Sequence, residues 1–223
     1  MVKKVQDENS NSQNDNLFVS KISCRGTAGN SFTLELSSGS LFCISGDFLL
    51  SHKLKKGLPI SPEFLALVKR EDEENRCRVA ALSYVARREH SGFELKQKLT
   101  KKGFAQATVE TVICKLVDLN IVNDYRYALK RISSRLSAKP QGEAALVGDL
   151  LKQGVPINVA KAAVKEELTA SDFDNALLKA YEKLKKNSNK SREQIVAALM
   201  RKGFSYGQIS KTISELDGFN VEE

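Results

Sequence analysis

Apolar residues between positions 95 and 116 recur at three- and four-residue steps on both sides of a Lys102-Gly103-Phe104 turn. Leu95, Lys98 and Leu99 lie at helical spacing before the turn, and Val109, Val112, Ile113 and Leu116 after it, which predicts a helix, a glycine stop and a second helix. Gly103 suits the residue just past the first helix, because a residue without Cβ enters the left-handed region at no steric cost. Phe104 then stands where a hydrophobic side chain folds back on the helix it has left. Ser91 and Glu94 form the S-x-x-E pattern of a capping box at its start.

The pattern returns one hundred residues later. Ser191-x-x-Gln194 opens it, Ile195 and Leu199 replace Leu95 and Leu99, Lys202-Gly203-Phe204 is the turn, and Ile209, Ile213 and Leu216 follow. A weaker copy lies between them, with Leu146, Leu150, Gly154, Val159, Ala163 and Val164. The turn glycines are 51 and then 49 residues apart, a period that marks an internal repeat. Two unrelated helical hairpins could share the apolar spacing. They would not also share caps and turn without a gap, as the first and third copies do.

Each glycine-turned pair follows a leading helix. The first is expected over 76–88, with Val79, Leu82 and Ala86 on one face. The second is expected over 124–137, capped by Asn123 or Asp124, with Tyr125, Leu129, Ile132 and Leu136 as its stripe. The third is expected over 172–185, with Ala176, Leu177, Ala180, Tyr181 and Leu184 inward. Lys139-Pro140-Gln141-Gly142 and Asn187-Ser188-Asn189 read as breaks. Upstream, 17–24, 32–36 and 41–44 read as three short strands broken at Gly26, Gly29 and Ser38-Gly39. A short helix with Phe48, Leu49 and Leu50 follows. Ser61-Pro62-Glu63 then opens a helix carrying Phe64, Leu65 and Val68. The acidic run 71–74 reads as a solvated helix start or a hinge. The expected organisation is a disordered tail (1–16), a β-rich region (17–60), a connecting helix (61–75), three repeats (76–122, 123–168, 169–218) and a short tail (219–223). The fold class is mainly α, with tandem three-helix units behind a small three-stranded β-meander.

Charge sharpens this picture. The formal net charge is +8, and residues 1–75 are near neutral, with 9 Lys/Arg against 10 Asp/Glu. Residues 76–223 carry 26 against 17, so the repeats face an anionic partner, nucleic acid or an acidic protein surface. Chemistry of other kinds is missing. The four cysteines form no C-x-x-C pair, and His52 and His90 are isolated, which leaves no zinc site or disulfide framework. Cys114 reads as a small core residue and His90 as a helix-end residue. Phosphate-binding glycine loops and the G-x-S-x-G elbow are absent. The reading is a protein without enzymatic activity, metal or cofactor. With no apolar run of membrane-spanning length and no signal segment, it is expected to be soluble and cytoplasmic, with reduced thiols.

The basic residues gather in three clusters. Arg87, Arg88, Lys96, Lys98, Lys101 and Lys102 form one. Arg126, Lys130, Arg131, Arg135 and Lys139 form the next, with no acid between Asp124 and Glu143. Lys179, Lys183, Lys185, Lys186, Lys190 and Arg192 form the last, and Arg201 and Lys202 flank the final turn. Each cluster alone fits a solvated helix face; three in one repeat array favour a binding surface. Tyr125, Tyr127 and Tyr206 are candidates to stack on bases, although Tyr125 belongs to the apolar stripe.

Several of these segments resemble the RecX family, regulators of the recombinase RecA. The carriers are Ala81-Leu82-Ser83-Tyr84-Val85-Ala86-Arg87-Arg88, Ser91-Gly92-Phe93-Glu94-Leu95 through Leu99, Lys102-Gly103-Phe104, Leu116, Asn123-Asp124 and Tyr127-Ala128. Lys139-Pro140-Gln141-Gly142 with residues 150–154 is similar to the family's second block, and Ala198-Leu199-Met200-Arg201-Lys202-Gly203-Phe204 to its third. The resemblance covers about 17–216. It implies an elongated array of three-helix units, a monomer, that lodges in the groove of the RecA filament on single-stranded DNA and restrains it. The candidate contacts are Arg87, Arg88, Lys101, Lys102, Arg126, Lys130, Arg131, Arg135, Lys139, Lys183, Lys186, Lys190, Arg192, Arg201 and Lys202. The alternative is an independent nucleic-acid-binding protein using its helical pairs as helix-turn-helix units, against which stands the lack of a recognition helix rich in Asn, Gln and Arg.

Overall fold

A computed structural model describes residues 17–24, 31–168, 170–186 and 191–219. The expected tail over 1–16, the breaks at Gly26, Gly29 and 187–189, and Lys190 lie outside the described residues. The chain divides into two compact units, Met1–Arg78 and Val79–Glu223.

In the first unit, β1 (Val19–Cys24), β2 (Ser31–Leu36) and β3 (Leu41–Ser45) form an antiparallel sheet in that order. Ile22 pairs with Leu34, and Thr33 with Cys43. Gly39 makes the β2–β3 turn at φ 78°, where a side chain would be strained. Val19, Leu34, Leu36, Ile44, Leu54, Ile60 and Val68 form the core, and the alternation of β2 turns Leu34 and Leu36 into it together. α1 (Gly46–Ser51) begins at the Ser45 cap.

Both sheet edges are occupied. Residues 57–60 run beside β1: Val19 N donates to Leu58 O (2.9 Å), and Gly57 N to Val19 O (2.8 Å). On the far edge, α2 (Pro62–Val85) turns carboxylates onto β3. Asp72 accepts from Cys43 N at 2.7 Å, and Glu71 from Ser45 N at 3.0 Å and from its hydroxyl. Asn75, 2% exposed, donates to Ser31 Oγ and Cys43 Sγ. The run 71–74 is therefore neither a helix start nor a hinge. It lies mid-helix because two of its acids satisfy strand N–H groups that would otherwise be left open. α2 is continuous to Val85. Cys77, Ala80 and Ala81 are its buried positions there, while Val79 and Ala86, expected on one inward face with Leu82, are exposed.

The second unit holds α3 (Gly92–Lys101), α4 (Gln106–Asp118), α5 (Asp124–Ala138), α6 (Glu143–Lys152), α7 (Ile157–Glu167), α8 (Ala170–Lys186), α9 (Arg192–Arg201) and α10 (Tyr206–Phe219). The three glycine turns are the same structure. Gly103, Gly154 and Gly203 have φ of 97°, 75° and 88°. Phe104, Val155 and Phe204 donate to Leu99, Leu150 and Leu199 carbonyls at 3.3, 3.1 and 3.3 Å, and each glycine N–H donates to the residue three before it. These are Schellman caps, in which a left-handed residue returns the chain to the last open carbonyls. Ser91 and Ser191 cap α3 and α9. Only Ser191 completes the reciprocal box with Gln194; the Glu94 side chain is engaged elsewhere.

Leu95, Leu99, Val109, Val112 and Leu116 are the buried stripe of α3 and α4. Ala128, Ile132, Leu146, Leu150, Ala160, Ala163 and Val164 fill the next unit. Leu177, Ala180, Ile195, Leu199, Phe204, Ile209 and Ile213 fill the last. On α5 the burial centres on Tyr127, Ala128 and Ile132, with Tyr125, Leu129 and Leu136 at its margin. Cys114 is exposed rather than core, because Val112 and Leu116 take the inward face of α4 and a residue two positions on points away.

Neighbouring units are joined at the turns. Gly142 N donates to Lys202 O (2.9 Å) and Ala144 N to Gly203 O (3.3 Å), so the carbonyl end of α9 meets the N–H end of α6. At the equivalent joint, Ser91 Oγ donates to Gln153 O at 2.7 Å. Orphan donors of one helix thus satisfy orphan acceptors of the next. A Cβ on Gly203 would lie 2.4 Å from Ala145 N, and one on Gly154 would lie 2.3 Å from Phe93 Cβ, whereas one on Gly103 would meet nothing within 4 Å.

Candidate nucleic-acid interface

The densest run of cations lies on α5, and the fold sets the segment after α2 against it. Arg88 and Glu89 from that segment, with Tyr127, Lys130, Arg131, Ser134 and Arg135 from α5, line a cleft of about 260 Å³. Tyr127, Lys130, Arg131, Ser134 and Arg135 reach one side of α5 because three- and four-residue steps bring helical residues together.

Acids that the basic pattern did not single out hold the cationic heads. Arg131 donates to Asp149 through Nε (2.5 Å) and one terminal nitrogen (3.1 Å), and Arg135 donates to the same carboxylate. Burial pushes the Asp149 carboxyl up, but the two arginines outweigh it and hold it below its ordinary range. Arg88 makes a two-pronged contact with Glu94, which also pairs with Lys98 at 3.0 Å. Burial raises the Glu94 carboxyl, and the bonds from Arg88 and Lys98 reverse this and bring it down to about 2. Burial also lowers His90, which is 3% exposed. Its Nδ1 lies 2.9 Å from Arg88 O and its Nε2 2.8 Å from Lys98 Nζ. Those partners fit the neutral ring, with the proton on Nδ1. His90 is thus a helix-end residue, as its place beside Ser91 indicated.

Glu89 is anchored on one side only. Its Oε1 accepts from Arg126 Nε (3.1 Å) and lies 3.8 Å from Lys130 Nζ, while its Oε2 is buried with no partner. The Arg126 fork also donates to the carbonyls of Asn120 and Ile121, which makes it a clamp on the α4–α5 turn. Tyr127 is 4% exposed. The Arg131 guanidinium lies beside its hydroxyl without hydrogen-bond alignment, so Oη has no partner. Base stacking is therefore closed to Tyr127. Tyr125 binds Glu166 through its hydroxyl. Tyr206, 64% exposed, stands in a separate cleft of about 530 Å³ with Val147, Leu151, Met200 and Phe204.

The structure thus gathers Arg88, Arg126, Lys130, Arg131 and Arg135 around one site. The other candidates do not line it. Arg87 is exposed just before it, and Lys139 is exposed at the C-cap of α5. Lys101 and Lys102 are exposed at the end of α3. Lys183, Lys186, Arg192 and Arg201 are exposed on α8 and α9, and Lys202 is half-buried where its carbonyl meets Gly142. α4 presents Gln106, Glu110, Cys114, Lys115, Val117 and Asp118 to solvent, an apolar and acidic mixture unlike a base-reading edge rich in Asn, Gln and Arg. The missed residues are Tyr127 as a buried hydroxyl and the acids Glu89, Glu94 and Asp149. Asp149 left a signal: it is a single acid within the apolar run Ala144–Leu151, and a charge so placed needs a partner. Among the described residues, no cluster of His, Cys, Asp or Glu suits a metal ion, and no helix is long and apolar enough to cross a membrane.

Residues 77–116 match the model of the first three-helix domain of RecX. A protein named regulatory protein RecX from Prosthecochloris aestuarii is 35% identical over 136 residues, which span 61% of this chain and 90% of that protein. The regulatory protein RecX of Bacillus subtilis is 26% identical over 216 residues, spanning 92% and 80%. Among solved structures, RecX from Lactobacillus salivarius superposes with a TM-score of 0.59 at 28% identity, over 66% of this chain and 97% of that one. Another crystal structure of a regulatory protein RecX gives 0.74 over 89% and 99%; at 18% identity it attests the shared fold.

Proposed function

The chain belongs to the RecX family of regulatory proteins, and from that premise we propose that it binds the filament of RecA on single-stranded DNA and restrains its growth, ATP hydrolysis and recombinase activity. The observation that carries the reading is the cationic side of α5, where Arg88, Lys130, Arg131 and Arg135 surround a cleft. Such a surface answers the phosphates and acidic side chains that a nucleoprotein filament displays. Arg131 and Arg135 are held in place by Asp149, so they meet a partner with less rotamer entropy left to lose. The protein acts as a monomer in the cytoplasm, without a cofactor. Its effect on the filament is steric and electrostatic rather than chemical.

The test is RecA's ATP hydrolysis on single-stranded DNA with this protein added substoichiometrically. Progressive loss of hydrolysis is the expected result; unchanged hydrolysis overturns the reading. Lys139, exposed at the C-cap, is the clean position for charge reversal, and Lys130, 70% exposed at its side chain but 3.8 Å from Glu89, is the position to neutralise. Reversing Arg131 or Arg135 would set like charges against Asp149 and disturb the fold as well as the surface. Lys130→Gln with Lys139→Glu is expected to weaken inhibition while leaving the unfolding transition in place.

A further inference from the structure

We propose that the α5 cleft holds one phosphodiester group of a single-stranded nucleic acid, with the Tyr127 hydroxyl as buried donor and Glu89 as the built-in carboxylate that the phosphate displaces. The proposal rests on the filament reading for its biological setting and on the cleft for its chemistry.

Two unpartnered polar atoms point to a ligand. Tyr127 Oη is buried without a hydrogen bond, and the Arg131 guanidinium beside it can only donate, so the hydroxyl proton has no acceptor. Arg88, Lys130, Arg131 and Arg135 line the same space. Arg88 spends its fork on Glu94 and Arg131 on Asp149, yet neither acid reaches the hydroxyl. The second orphan is Glu89 Oε2. Its sister oxygen takes Arg126 and faces Lys130, so this carboxylate sits where an external anion would, with half its capacity unused. An anion that carries more oxygens competes for the same cations and supplies the acceptor that Tyr127 lacks.

The shape of the donor set favours phosphate. Donors approach from two elements: Arg88 from the segment after α2, and Lys130, Arg131 and Tyr127 from α5. A tetrahedral phosphodiester offers oxygens to each side at once. A planar carboxylate serves a single fork, as Asp149 does for Arg131. The phosphate parts the Arg88 and Arg131 heads, accepts from Tyr127 beneath them and from Lys130 at the rim, and pushes the Glu89 carboxylate toward solvent.

The test uses the full chain, a labelled oligothymidylate as probe, and the variants Tyr127→Phe and Glu89→Gln at one fixed low salt concentration. Tyr127→Phe is expected to weaken binding roughly tenfold while the unfolding midpoint stays level or rises, because the hydroxyl proton had no acceptor to lose. A merely structural tyrosine would shift the midpoint and leave binding alone. Glu89→Gln is expected to tighten binding roughly threefold or more, because a like charge leaves the site while the amide oxygen still accepts from Arg126. Wild-type affinity in Tyr127→Phe, weaker binding in Glu89→Gln, or no binding of the oligonucleotide by the unmutated chain overturns the phosphate site. So does a response seen only on RecA-coated DNA, since the cleft would then take an acidic side chain of the recombinase. If the oligonucleotide results hold while RecA's ATP hydrolysis ignores the protein, the phosphate site stands and the filament reading falls.

Discussion

Alanine at each turn glycine separates two costs that the sequence presents as one. Gly103, Gly154 and Gly203 share a left-handed backbone, and a Cβ there costs about 1–2 kcal/mol. Gly103→Ala carries only that cost, because its Cβ would meet nothing within 4 Å. Gly203→Ala adds a collision: the new carbon would lie 2.4 Å from Ala145 N and 2.6 Å from Ala145 Cβ. Backbone cannot swing aside as a side-chain end can, so the joint must open, at about 1–3 kcal/mol for overpacking and about 1 kcal/mol for each of the two bonds from Gly142 and Ala144. The expected loss is about 4–7 kcal/mol for Gly203→Ala against about 1–2 kcal/mol for Gly103→Ala. Gly142→Ala isolates the collision. Its backbone is extended, at φ −84°, and its Cβ would lie 2.2 Å from Gly203 O. Urea denaturation of the three variants, with amide exchange at Gly142 and Ala144, reads the result. Equal losses at Gly103 and Gly203, or a Gly142→Ala protein as stable as the parent, would refute the account of how the units are joined.

Glu94 has a folded pKa of about 2, below its ordinary 4.5. Its stabilisation is therefore complete above pH 4.5 and is lost as pH falls toward 2. Glu94→Gln should remove about 1–2 kcal/mol at neutral pH, and its melting curve should converge with that of the parent in acid; parallel curves down to pH 2 would sink the assignment. Asp149→Asn should lower stability by about 1–2 kcal/mol by uncoupling Arg131 and Arg135, with a smaller penalty when Arg135 is already alanine, as a double-mutant cycle would reveal. Asp72→Ala should speed hydrogen exchange at Cys43 while sparing the strand pair β1–β2, since the Asp72 carboxylate is the partner of that N–H; unchanged exchange would show that another group satisfies it.

Much of the α-helical part was legible because its signals are local. A Schellman turn is closed within six residues, so Lys102-Gly103-Phe104 and Lys202-Gly203-Phe204 announce it whatever surrounds them. The three strands were legible from alternation and glycine breaks. The basic clusters could be counted, but which cations would converge could not. Arg88 and Arg131 are 43 residues apart in sequence and meet only because the segment after α2 lies against α5. Tyr127 was open to base stacking in the sequence, and Cys114 to the core. Which side of its helix a neighbour covers decides burial at each.

The sequence alone determined helix ends, turn glycines, the period near fifty residues, and the concentration of positive charge beyond residue 75. These follow from backbone sterics and from charge, which need no distant partner. Tertiary structure alone decided that the acids at 71 and 72 close a sheet edge, that Gly203 is pinned and Gly103 free of contact, and that Asp149 and Glu94 hold the arginines of the cleft. The sheet-edge, Gly203 and Asp149 contacts each join groups well separated along the chain, and only the packing of the elements brings those groups within reach.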